Sequence, residues 1–450
     1  MNVARLRLQL EGGAQFLLAQ LVIWLGLAAG NIYPLNLPVG RVVRWAVLAQ
    51  LGVFAVGYAV TAGRTLRFGR SLAAIGAFLA LAFLSVGWSP DPSLTLGRAT
   101  SLAAVAAVGL ALAVGARRGS DGARPFLLAL LAGTVVLALL GLFQLAHDYD
   151  RAVVPATRGQ GARYTGIGGN PDTLAMLYAI VSPIAFWALV EARARWEKIA
   201  AAAAFLLLDG SLAASSSRGA IVAAFVGLTA MALLVRLPRR TRLVLVAASV
   251  ALFAANAFAG TLPPRAAVDP VLNTQFGTTP ALAPRDANLV LPLEDEIGFP
   301  GRGGAFRNRE LLDAGGRRPA WEGALHQAAD RPIVGYGFGL EERVFVDRYY
   351  PFISDRPESS YIGLLLQLGA AGLLVLLAAF VLLARDGVRA LRSAAPAERT
   401  VTATCLSVLA VGIVLALAQS YVTSVGSPPT VPLWICALLL AVPSRSSTRP

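Results

Sequence analysis

Apolar runs set the terms for this chain. Stretches of about 17–25 residues are long enough to cross a hydrocarbon core. They recur near 14–30, 42–62, 71–88, 97–115, 125–146, 171–190, 197–213, 219–236, 242–260, 359–384, 400–421 and 430–443. The last of these twelve is short, and Asp209 interrupts the seventh. Lipid offers backbone groups no hydrogen-bond partner, so spans of this length must be helices. The expected fold is an all-α polytopic membrane protein with about twelve transmembrane helices. Composition agrees. Hydrophobic residues make up 56% and mean hydropathy is +0.64. Charged residues are 14%, against roughly 25% in soluble domains. The first run follows a basic start, "MNVARLRLQLEGG", without an evident cleavage site, so it reads as an uncleaved first helix.

Arginine placement orients the spans. With the N-terminus inside, the inner segments carry 21 basic residues and the short outer loops carry seven. The other 11 fall in one long outer segment, where the positive-inside rule does not count. Both termini are then expected in the cytoplasm, in a bacterial inner membrane. A net charge of +14 would suggest a nucleic-acid partner in a soluble protein. Here it reads as topology signals, and the expected partner is the lipid bilayer. Three regions follow: 1–260 with nine helices, 261–357 as a long extracytoplasmic loop, and 358–450 with three more. The loop begins as Pro- and Gly-rich coil and then holds a short helix, "RPAWEGALHQAADR", ending at Pro332. Loops of this length are usually functional or disordered. Cys405 and Cys436 lie inside spans and read as packing residues.

Several polar features share the outer face. Arg163 precedes the sixth span and Arg218 stands in "SSSRGA" between the seventh and eighth. Arg317 and Arg318 lie on the loop helix, and Glu358 sits at the mouth of the tenth span, before Ser359, Ser360 and Tyr361. A guanidinium stays charged at low dielectric and forks onto phosphate oxygens. Arg163, Arg218 and Arg317 together suggest a diphosphate-binding cluster; the plainer alternative is snorkelling to the interface. A half-buried carboxylate at Glu358 would have a raised pKa and could act as a base. It could equally be an interfacial acid balancing Arg356. "HDYD" (147–150), "EDE" (294–296) and His326 read as solvated or structural. "GYGFG" (335–339) lacks the context of a nucleotide loop. No zinc spacing is present, and no metal or cofactor is expected.

Four stretches carry a family resemblance. "RYTGIGGNPDTLA" resembles the R-x-T-G-x-x-x-N-P-N-x-x-A pattern of the O-antigen ligase/O-antigen polymerase superfamily. "SSSRGA" is similar to its S-R-G-A. "RRPAWEGALHQAADRPIVGYGFG" resembles its R-x-x-x-W…G-x-G-x-G stretch, with Arg317 at the arginine. "PESSYIGLLLQLGAAGLL" resembles its P-H-N-x-Y…E-L-G-x-x-G. The resemblance covers roughly 160–380 and follows the family's order. It implies glycan transfer from undecaprenyl diphosphate to an acceptor hydroxyl at the outer face, inverting and without metal. Arg163, Arg218, Arg317 and Arg318 would bind the diphosphate and Tyr361 the substrate, with Glu358 and Arg218 catalytic. Two departures stand out: Glu358-Ser359 replaces the His-Asn of lipid A-core ligases, and Asp172 replaces the second Asn of N-P-N.

The acceptor would be a glycan, a lipid or a protein. A polysaccharide polymerase is the favoured reading, because of the Glu358 departure, and a ligase is the alternative. A flippase would place charges deep in several spans, whereas here Asp209 is the main one. A metal-dependent transferase would want carboxylates in the first outer loop, and "NIYPLNLPVGR" has none.

Overall fold

The computed structural model describes residues 3–30, 32, 35–36, 38–62, 68–116, 122–154, 162–235, parts of 242–254, 317–345 and 356–442. In chain order come α1 (Val3–Ala28), α2 (Pro38–Thr61), α3 (Arg70–Leu84), α4 (Pro92–Ala116), α5 (Arg124–His147) and the short α6 (Tyr149–Ala152). A two-strand hairpin follows, β1 (Val153–Val154) and β2 (Arg163–Tyr164). Then come α7 (Pro171–Glu191), α8 (Arg195–Ser215), α9 (Arg218–Leu234), α10 (Arg317–Ala328), α11 (Glu341–Val344), α12 (Ser360–Ser393), α13 (Pro396–Leu415) and α14 (Thr430–Ala441). Among the described residues nine helices are long and apolar enough to cross a membrane, and α9 and α14 are shorter apolar helices. These eleven coincide with eleven of the twelve expected spans. The expected span over 242–260 lies mostly outside the described residues, as does the coil at 261–316, including "EDE".

Burial follows from which helices carry apolar residues on every face. All twelve residues of α14 are buried, as expected of a helix with no polar side. α7 is also central, packing against α5, α8, α9, α13 and α14, with Tyr178 and Trp187 fully buried. α1 and α2 pair at the periphery and leave Phe16, Val53 and Val60 exposed, where lipid would cover them. Asp209 does not break its span: α8 runs through it, and the side chain is buried.

The departure from simple helices is at α12. At Gly369 the backbone turns to φ +61°, ψ −162°, and the helix breaks. The freed groups find partners in "RPIVGYGFG". Tyr336 and Gly337 donate their N–H groups to the carbonyls of Leu366 and Gln367, at 2.9 and 2.8 Å. In return Ala370 and Ala371 donate to the carbonyls of Pro332 and Ile333, at 2.8 and 3.1 Å. The Gln367 side-chain oxygen accepts from Gly339 N–H. Gly335, Gly337 and Gly339 all have positive φ, and a Cβ on Gly335 or Gly369 would overlap the facing backbone. The glycine spacing is thus a docking device for a broken helix, with every freed backbone group paired as burial demands.

Candidate active site

"NPD" starts a helix. Asn170 is the N-cap of α7, its Oδ1 accepting from Asp172 N–H at 2.8 Å, and Pro171 occupies the first turn. Asp172 therefore sits in the first turn, where the helix dipole favours a negative charge. That is a physical account of an acid in place of the family's second Asn. Its carboxylate bridges two arginines that the chain brings from far apart. Arg163 Nη2 donates to Oδ1 at 2.7 Å, and Arg317 Nη2 lies 3.7 Å from Oδ2. The side chains of Arg163 and Asp172 are 16% and 15% exposed, so this pair is little screened.

Arg163 is aimed by the hairpin. β2 pairs with β1 in the register Val153↔Tyr164 and Val154↔Arg163, and the Arg163 Nε donates to the Ser215 carbonyl at 2.9 Å. One arginine thus satisfies the C-terminal end of α8 and holds Asp172. Arg317 is aimed by α10. Arg317 and Trp321 are four residues apart, so they lie on one helix face. Arg317 Nη2 reaches Glu358 Oε2 at 3.0 Å, and Trp321 Nε1 donates to the Pro357 carbonyl at 2.7 Å. The R-x-x-x-W spacing thereby clamps two consecutive residues of the segment that leads into α12.

Glu358 is held in an unusual backbone state, φ +52°. Ser216, two residues before Arg218, shares it. Among the described residues these are the two non-glycine positions with positive φ, a conformation that costs about 1–2 kcal/mol. Ser359 caps α12, and Ser360 ties the start of that helix to the turn after α13. The Ser360 Oγ donates to the Gln419 carbonyl at 2.7 Å and accepts from Tyr421 N–H at 3.0 Å.

The sequence-derived residues divide accordingly. Arg163, Arg317 and Glu358 meet around Asp172. Arg218 opens α9 directly after Ser217, whose hydroxyl bonds Asp172, and its Nη1 is shielded from solvent. Arg318 is not brought to the cluster. It is 81% exposed and paired with Glu322 one turn on, because consecutive residues of a helix point about 100° apart. Tyr361 turns its hydroxyl to the Ile413 carbonyl at 2.9 Å, a packing contact with α13. His147 stacks on Phe143, apart from the cluster.

A second charged network, which the sequence did not disclose, borders the first. Arg356 hydrogen-bonds Glu342, and Arg98 on α4 bonds both Glu342, at 2.8 Å, and the Gly339 carbonyl. Glu341 is buried and accepts from Ser420 Oγ at 2.7 Å and Gln367 Nε2 at 3.1 Å. Burial lowers the pKa of Arg356, with Glu341 opposing, Arg98 adding to the fall and Glu358 opposing it. The helical spacing of Arg318 and Glu322 was a usable signal; the convergence on Asp172 and Glu342 had none, since their partners are remote in sequence.

Asp172, Arg356 and Glu358 line one cavity of about 360 Å³, completed by the segment after α13. Arginines that can hold a phosphate and a carboxylate that can take a proton therefore border one space. No curated protein matches the chain. Residues 201–377 match the family model described as O-antigen ligase, which takes in Arg218, Arg317, Trp321, Glu358 and Tyr361 and stops short of Arg163 and Asp172. On that match, together with the helical membrane architecture, this chain belongs to the O-antigen ligase/polymerase superfamily.

Proposed function

We propose that the chain transfers glycan from undecaprenyl diphosphate to an acceptor hydroxyl at the outer face of the bacterial inner membrane, most simply as a surface-polysaccharide polymerase. The observation that carries this is the joining of Arg163, Asp172, Arg317 and Glu358 beside one cavity. In this reading the acceptor oxygen bonds to the anomeric carbon, and its proton passes to Glu358. The bond to the diphosphate breaks, and the electron pair leaves on the lipid diphosphate. Arg163, Arg218 and Arg317 stabilise that growing charge. One in-line displacement inverts the anomeric centre. The arginines meet the charge, so the step calls for no metal.

The pairing of Arg317 with Glu358 gives an order to the events. A diphosphate offers Arg317 a stronger, bidentate partner than one carboxylate oxygen. Donor binding would then draw Arg317 away and leave Glu358 free to accept a proton. Asp172 holds the arginines apart and aimed until the donor arrives.

The second reading is a ligase that moves finished glycan to a lipid or protein; the description of the matching family favours it. Sizing the surface glycan and the lipid-linked pool in cells lacking the protein separates the two. Single repeat units, with long chains lost from both pools, mean a polymerase. Full-length chains stranded on the carrier mean a ligase. Normal glycan in both pools contradicts both readings.

A further inference from the structure

We infer that the cavity beside Glu358 is the acceptor subsite and takes the uncharged terminal sugar of a glycan. The inference rests on the transfer reading above and adds the identity of what attacks. Its volume of about 360 Å³ is at the low end for small-molecule sites, roughly 300–1,000 Å³. That suits a sugar terminus. The wall opposite Asp172 and Glu358 carries neutral polar groups from Thr173, Gln419, Ser424 and Ser427. Gln419 is only 5% exposed. Yet neither its amide nor the hydroxyls of the other three hydrogen-bonds another described residue. A buried amide left without a partner costs about 1–3 kcal/mol, which a hydroxyl-rich ligand recovers. Amide, hydroxyl and carboxylate groups around a small space match the alternating donors and acceptors of a sugar ring. The two carboxylates disfavour a phosphorylated or acidic acceptor terminus.

The wall is preorganised. Ser360 holds it through the Gln419 carbonyl and the N–H groups of Tyr421 and Val422. Thr430 Oγ1 donates to the Tyr421 carbonyl at 2.7 Å, and Trp434 Nε1 to the Val422 carbonyl at 2.9 Å. Ser360 is also two residues from Glu358. The turn that shapes the subsite therefore places the base against the hydroxyl that must lose its proton.

The test uses full-length protein in nanodiscs with lipid-linked donor. The acceptor probe is oligosaccharide released by mild acid from the source cells' own lipid-linked pool, supplied free or still lipid-linked. Affinity for undecaprenyl diphosphate is measured alongside. Gln419→Ala, and Ser427→Trp to fill the space, are expected to raise the acceptor KM by about tenfold or more while donor affinity stays within about twofold. Ser424→Ala, a smaller change, guards against misfolding and should shift the acceptor KM in the same direction. Transfer to free oligosaccharide identifies the glycan end itself as the ligand; transfer only to the lipid-linked form identifies a carrier-borne chain. An unchanged acceptor KM in folded variants, or transfer to peptide hydroxyls with sugars ignored, overturns the subsite. Wild-type protein that neither binds undecaprenyl diphosphate nor transfers overturns the underlying function instead.

Discussion

Asp172 is where a single residue changes how the site works. Between Arg163 and Arg317 its charge keeps two like-charged groups near one another while the donor is absent. Asp172→Asn retains the shape and the cap and removes that charge. The expected result is a kcat lower by about tenfold, as the arginines lose their aim, with donor affinity unchanged or tighter; a weaker donor affinity at unchanged kcat would contradict this. Arg218→Ala should cost about 10²–10³ in transfer and Glu358→Gln about 10²–10⁴, both with normal membrane insertion. Near-wild-type activity in either variant removes that residue's role. Arg318→Ala should leave transfer unchanged, since its partner is Glu322 at the surface.

Much of this was legible in the sequence, and the limit has a physical form. Arg163, Arg218, Arg317 and Glu358 stand out because a charge at a span end needs a reason. Asp172 did not, because an acid after N-cap and proline is ordinary for a helix start; only its two remote partners make it central. The Arg317/Arg318 doublet was misread as a unit, although helical spacing separates the two faces.

At the scale of elements, the break in α12 and the glycine loop form one unit. Neither side is complete alone: the unwound turn needs the N–H groups of Tyr336 and Gly337, and the loop needs those of Ala370 and Ala371. The sequence showed the glycines but not their purpose, since a broken helix and its patch lie about thirty residues apart. Gly369→Ala forces a side chain into the Ile333 backbone at positive φ. It should lower stability by at least about 1–3 kcal/mol, read as a lower unfolding temperature in detergent, with activity lost alongside. Trp321→Phe keeps the ring and loses the bond to the Pro357 carbonyl. About 1 kcal/mol of local order at Glu358 is at stake, so kcat should fall several-fold with donor affinity intact.

For the whole molecule, the apolar runs announced the bundle, because lipid permits few alternatives to helices. The charged cluster gathers where α7, α9 and α12 begin and α8 ends, at one end of that bundle. We place that end outside, on the arginine distribution. Cys405 and Cys436 are both buried, so single added cysteines can report the sidedness. Ser93→Cys, near the cluster's end, should react with an impermeant thiol reagent in intact cells, and Arg193→Cys, at the other end, should not. The reverse pattern would invert the topology.

Transfer itself is the most direct measurement. Purified protein is given lipid-linked oligosaccharide, and both released undecaprenyl diphosphate and glycan length are followed. Wild-type protein should release the lipid diphosphate in step with a lengthened or transferred glycan, and Arg317→Ala and Glu358→Gln should do neither. An intact donor with wild-type protein, or variants that match it, would contradict the assignment of this cluster as the site of glycan transfer.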